Sequence, residues 1–209
     1  MCARLLTAED PTMLAWEIAD EIDDDPAAKA IAAAFDDGAT VLTIGWPEVA
    51  GEAIMRRGNV EVLCADSRHE ASGFMQRLER YDVPCEPVPA ESLARAANQA
   101  DVVLVEATAA SPQRVIAPVG SHVVAAVARS VGTPVWLVAG AGTQLPAEYV
   151  DAIGTHAIDG QSTWNLEIDD LPVELITHVA SAAGLSGDIS SSLRPTCPFA
   201  PELLRFSPF

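Results

Sequence analysis

The chain has 209 residues, with 30 acidic against 12 basic side chains and a formal charge of −18, a length that carries one sizeable domain able to bury its core without disulfides or metal. So acidic a surface repels nucleic-acid phosphates and anionic membranes, which excludes direct binding to either without a local basic patch, and the sequence shows none. No apolar run reaches the roughly 18 residues of a membrane span, and the amino terminus lacks the order of a signal peptide, so a cytoplasmic protein is expected. Lys29 is the single lysine beside eleven arginines, which fits either a high-salt cytoplasm or an arginine-rich codon bias. Cys2, Cys64, Cys85 and Cys197 are widely spaced, without a Cys-x-x-Cys pair or histidines at zinc-ligand spacing, and read as reduced thiols; no metal is expected.

In chain order, Leu14, Ile18, Ile22, Ile31 and Phe35 fall at helical spacings between Thr7 and Asp37, interrupted by Asp23-Asp24-Asp25-Pro26. The pattern predicts two short helices, the second capped by Asp25 with Pro26 at its first position. This amino-terminal segment, 1–37, covers the sheet or serves as a dimer arm. From Gly38 apolar runs alternate with amphipathic stretches. Strands are predicted at Thr40–Ile44, Val60–Ala65, Cys85–Val88, Asp101–Val105 and Pro134–Ala139. Helices are predicted at Pro47–Arg57, Glu70–Tyr81, Glu91–Ala97, Gly120–Val131 and Pro172–Ala183, the last stopped by Gly184. Unbroken Val/Leu/Ile runs in alternation with helices predict an α/β fold, a parallel sheet covered on both faces, over 38–185. The Ser- and Pro-rich tail, 186–209, reads as an extended segment packing on its own domain or a neighbour, or as disordered chain. No internal repeat is visible.

If the strands are parallel, their carboxyl-end loops share one rim, where open α/β sheets bind ligands. Those loops are Ile44-Gly45-Trp46, Asp66-Ser67-Arg68, Glu106-Ala107-Thr108 and Gly140-Ala141-Gly142-Thr143. Their carboxylates, hydroxyls, exposed glycine backbone and one guanidinium suit a small polyol or phosphorylated ligand. Equally, Asp66 and Arg68 could pair with each other or cap the next helix. Gly120-Ser121-His122 opens a helix whose N–H groups attract anions and whose histidine titrates, or it is a plain capped helix start. Gly140-x-Gly142 lacks the third glycine of a dinucleotide fingerprint, and no Gly-Lys-Ser/Thr loop, Gly-x-Ser-x-Gly elbow or His-Glu-x-x-His is present, so no cofactor is expected. His69, His156 and His178 are isolated. Cys64 belongs to a buried strand and reads as inert, while Trp46 and Trp164 read as packing residues or as a wall of the rim.

Taken in order, these segments resemble a family that joins the alpha, beta and delta subunits of translation initiation factor 2B with methylthioribose-1-phosphate isomerase and ribose-1,5-bisphosphate isomerase. The similarity is carried by Gly38-Ala-Thr-Val-Leu-Thr43, Asp66-Ser67-Arg68 with Gly73, and Asp101-Val-Val-Leu-Val105. It continues through Val119-Gly120-Ser121, Pro134-Val-Trp-Leu-Val-Ala139 and Asn165–Thr177, and covers about Gly38 to Gly184. The resemblance implies a Rossmann-like domain that associates into a homodimer or larger assembly. It also implies a ligand site at Asp66, Ser67, Arg68, Thr108, Gly120 and Ser121.

The departures bear on activity. Where the family's isomerases carry a cysteine and an aspartate for proton transfer, this chain has Gly45 and Thr108, neither able to titrate. The family's Asn-Lys pair is Ala117-Pro118. The expectation is therefore a noncatalytic or degenerate homologue that binds a small phosphorylated metabolite and acts through subunit association. The alternative is a sugar-phosphate isomerase with a remodelled site, using Glu106, Asp66 and His122 as replacement acid/base groups.

Overall fold

The apolar runs form strands that lie in parallel, because a strand buried on both faces leaves no polar alternation to expose. The computed structural model describes residues 8–23, 25–158 and 164–205. Cys2, Thr7 and residues 206–209, invoked above, lie outside them, as do Asp24 and the side chain of Ile22. Strands β1 (Ala39–Ile44), β2 (Val60–Ala65), β3 (Cys85–Val88), β4 (Val102–Glu106), β7 (Val135–Val138) and β9 (His178–Ser181) run parallel, and β10 (Gly184–Ser186) closes the edge antiparallel to β9. Their order is β10-β9-β7-β4-β1-β2-β3. From β1 the chain moves outward to β3, then returns to the other side of β1 with β4. The topological switch, where such sheets open a crevice, therefore falls between β1 and β4.

Helices α1 (Pro11–Asp23) and α2 (Pro26–Ala34) precede the sheet; α3 (Glu48–Arg57) and α4 (Ala71–Glu79) follow β1 and β2. Ile31 and Phe35, with Ala50, Ile54, Phe74 and Leu78, cover one face over Val41, Val62 and Leu104. Phe35 stacks on Trp136 at 5.8 Å, so the amino-terminal segment packs directly on the sheet. Asp25 caps α2 by accepting from the Ala27 N–H, with Pro26 in its first turn. The opposite face is covered by α5 (Leu93–Gln99) and α6 (Ser121–Val131), through Ala97, Val124, Ala125 and Ala128 over Val103, Val105, Val135 and Leu137.

A second sheet, absent from the sequence reading, is formed by β5 (Ala109–Ala110), β6 (Val115–Pro118) and β8 (Ile168–Leu171) in antiparallel order β5-β6-β8. Helix α7 (Ala147–Ile158) lies on it, with Val150 against Ala109 and Ile116. Arg114 ties the layers by a two-pronged pair to Asp170, at 2.6 and 2.7 Å, and a contact with Asp151 at 3.4 Å. Gly154 permits this approach, since a Cβ there would lie 2.5 Å from the guanidinium.

The helix expected at Pro172–Ala183 does not form. A short 3₁₀ turn at Val173–Leu175 leads into β9, and Gly184, at φ +101°, opens β10 after the turn. Val173, Leu175, Ile176 and Val179 satisfy a helical period, but Ile176, Thr177 and Val179 are β-branched, and Val179 fills a buried strand position beside Leu137. The described part of the tail packs on its own domain. Short helix α8 (Ile189–Ser192) precedes fully buried Leu193, and the Tyr149 hydroxyl donates to the Ala200 carbonyl and accepts from its N–H.

Candidate functional site

Parallel pairing brings the loops after β1, β2, β4 and β7 to one edge, as expected. The loop after β2 holds Asp66, Ser67 and Arg68. Asp66 Oδ1 accepts from the Ala71 N–H at 3.2 Å, so this carboxylate caps α4, and its other oxygen lies 3.4 Å from His69 Nδ1. Ser67 is buried, and its hydroxyl donates to the Val119 carbonyl at 2.9 Å. That bond joins the β2 loop to the start of α6. Arg68 and His69 are both left-handed, with φ +53° and +67°, a conformation costing a non-glycine residue about 1 kcal/mol or more. The Arg68 guanidinium reaches Glu167 at 2.9 Å.

At α6 the Gly120 and His122 N–H groups donate to Asp169 Oδ2 at 2.8 and 3.1 Å. Asp169 reaches them because β8 pairs with β6, setting Asp169 opposite Ala117 three residues before Gly120. Gly120 has φ +94°, and a Cβ there would lie 2.7 Å from Ile44 Cδ1, so this helix start is pressed against the end of β1. The Ser121 side chain is wholly buried, while His122 is exposed.

Glu106 is separated from this group. On β4 it shares the face of Val102 and Leu104, which look toward α3, whereas Val103 and Val105 face α6. Its carboxylate accepts three N–H donors at the start of α3, from Glu48 and Val49 at 3.2 Å and Ala50 at 2.9 Å. Burial pushes the Glu106 carboxyl above its ordinary value, offset in part by these donors and reinforced by the Glu48 charge. Thr108 is exposed, and its N–H donates to Ile116, opening the β5–β6 hairpin. After β7, Ala141 donates its N–H to buried Asp25, which binds the amino-terminal segment to the same edge.

The structure thus brings together Asp66, Ser67, Arg68, Gly120 and Ser121, and turns Glu106 to the opposite face. Sequence reasoning missed Glu167 and Asp169 as members of the site. Both lie in the Asn165–Thr177 signature, but their reach depends on the pairing of β8 with β6. Cys64 is buried, and burial pushes its thiol up to about 12, which leaves it protonated and unreactive. Among the described residues no three metal-ligating side chains converge, and no helix is long and apolar enough to cross a membrane.

The profile of the initiation factor 2 subunit family matches residues 14–186. The chain belongs to that family. Solved structures agree on the fold. The translation initiation factor eIF-2B of Pyrococcus horikoshii OT3 superposes with a TM-score of 0.69 at 14% identity, over 85% of this chain and 70% of that one. A chain of the tetrameric eIF2B-beta2-delta2 complex from Chaetomium thermophilum gives 0.67 at 19%, over 82% and 60%. The eIF2B beta of the same fungus gives 0.66 at 16%, over 91% and 61%. This member of the family therefore spans less than two thirds of the fungal chains. Comparison with curated proteins gives no match.

Proposed function

We propose that this chain is a noncatalytic member of the initiation factor 2 subunit family that acts through association with further subunits, itself included. One observation carries the reading: at the switch between β1 and β4, the place of the crevice, the Glu106 carboxylate is seated on three N–H groups of α3. A base needs an oxygen free to meet a substrate proton, and this carboxylate is spent on the backbone. The positions that would carry the proton-transfer pair are Gly45 and Thr108. Asp66 and His122 do not replace them, since Asp66 caps α4 and His122 stands on the outer surface of α6. The tetrameric complex among the structural neighbours supports association as the common mode of action.

A narrower reading keeps an anionic ligand at the rim. The Arg68–Glu167 pair is half exposed, with side-chain exposures of 46% and 63%, so a phosphorylated metabolite could take the guanidinium from Glu167 without disturbing the core. Sedimentation and calorimetry test both readings. A dimer or larger species is expected, with no turnover of ribose-1,5-bisphosphate or methylthioribose-1-phosphate, and any binding heat from these ligands should be lost in Arg68→Ala. Turnover abolished by Glu106→Gln would overturn the noncatalytic reading, and a monomer at all concentrations would overturn association.

A further inference from the structure

On the outer side of α4, away from the Gly120 helix, Trp46, Gly73, Arg77, Arg80 and Tyr81 line a cleft of about 430 Å³. Gly73 and Arg77 lie one turn apart on α4, and Arg80 and Tyr81 follow in the turn that ends it. Trp46 leaves β1 and lays its indole against α4: a Cβ on Gly73 would lie 2.5 Å from Cζ3 of the ring. Glycine inside a helix is unfavourable relative to alanine, and here it is the residue that admits the indole. Phe74 supports the indole from below, with ring centroids 6.4 Å apart. Trp46 is nonetheless 39% exposed and Tyr81 61% exposed, so both rings offer aromatic surface to solvent.

Two of the residues lining the cleft are arginines. Arg77 is held by Glu48 at 2.8 Å. Arg80 is exposed and, among the described residues, makes no ion pair. In a chain of net charge −18 with eleven arginines, an exposed guanidinium that makes no ion pair among the described residues and lines one cleft with two exposed aromatic rings is a specific arrangement. Guanidinium groups bind carboxylate and phosphate by paired N–H bonds, and aromatic faces bind planar rings. The volume lies within the range of small-molecule sites. Glu48 on Arg77, and Glu79 and Asp82 flanking Arg80 and Tyr81 in sequence, oppose a polyanion such as a nucleic acid.

We propose that this cleft is a binding site for a small planar aromatic molecule bearing one carboxylate or phosphate, its ring against Trp46 or Tyr81 and its anion on Arg80. The site takes Trp46 from the loop after β1 but none of Asp66, Ser67, Arg68, Gly120 or Ser121, and it does not rest on the function proposed above. Tryptophan fluorescence of the full chain, titrated with phenyl phosphate, benzoate, inorganic phosphate and benzyl alcohol, tests it. A saturable change is expected with phenyl phosphate or benzoate, and whichever is stronger identifies the anion. Inorganic phosphate and benzyl alcohol should each bind at least tenfold more weakly. The signal should vanish in Trp46→Phe, weaken at least tenfold in Arg80→Ala and persist in Arg68→Ala. Arg80 is on the surface, so its variant is expected to fold, and an unchanged far-ultraviolet circular dichroism spectrum checks this. No saturable change, equal binding to Arg80→Ala, or loss of the signal in Arg68→Ala would each overturn the proposal.

Discussion

Two helices begin at the same rim, and each start is closed by a carboxylate from elsewhere in this chain, but the closures differ in construction. Glu106 projects from the main sheet at its topological switch and takes three N–H groups of α3. Asp169 comes from the small second sheet and takes two N–H groups of α6. The first closure belongs to the packing of one sheet face; the second is a clasp between two sheets. Helix starts of this kind are natural seats for anions. Filling both from within leaves the rim, among the described residues, with Arg68 as its externally directed cation.

Breaking the first closure should have the largest effect. Glu106→Ala removes the acceptor of three donors, at least one of them on buried Ala50, and should lower unfolding stability by about 3 kcal/mol in urea titration. A loss below about 1 kcal/mol would show that water replaces the carboxylate and that the start of α3 is open. Glu106→Gln should be milder, about 1 to 2 kcal/mol, and it isolates the proton linkage. Burial raises the folded-state pKa of Glu106 above its ordinary 4.5, so the folded protein keeps this proton to higher pH than the unfolded chain. The corresponding contribution is complete below the ordinary value and is lost as pH rises through the raised one. The stability of the native protein minus that of Glu106→Gln should therefore fall with rising pH across that window, and a rise would contradict the direction of the shift.

The second closure should be worth less. Asp169→Asn keeps an acceptor for Gly120 and His122 but removes the charge that complements the helix dipole, an expected loss of about 1 kcal/mol. Amide exchange sharpens the contrast. Faster exchange should be confined to the Gly120 turn in Asp169→Asn, whereas Glu106→Ala should loosen α3 and the strands beneath it. Equal, global loosening by both would make the two closures one cooperative unit.

How legible these features were in the sequence follows the same division. The first half of the fold, from β1 to β4, came from unbroken apolar runs, because such strands carry their own burial signal. In the second half α6 and β7 were legible in the same way, but the small second sheet and α7 were not. β5, β6 and β8 are two to four residues long, too short for any period, and α7 presents few large apolar residues. Asp66, Ser67 and Arg68 were legible as a rim loop by following a buried strand. Glu106 was legible as a rim carboxylate but not in its direction, because one residue along a strand decides which face it serves. Glu167 and Asp169 reach the rim through a pairing across roughly 50 residues, which no local pattern encodes.

The smallest expected effect concerns Arg68, and it separates charge from backbone. Its pair with Glu167 is solvent-exposed, so Arg68→Ala should change stability by no more than about 0.5 kcal/mol. Alanine, however, inherits the left-handed backbone at φ +53°. Arg68→Gly removes the Cβ that makes this conformation costly and should be more stable than Arg68→Ala by about 1 kcal/mol, read from paired thermal unfolding curves. Equal stability of the two variants would mean that the loop relaxes once the ion pair is gone, and that Glu167 holds Arg68 in its strained form. A persistent difference means the backbone of the β2 loop is fixed from beneath, by Ser67 on Val119 and Asp66 on α4. In that case the guanidinium is presented at the rim by the fold, and an arriving anion would have only Glu167 to displace.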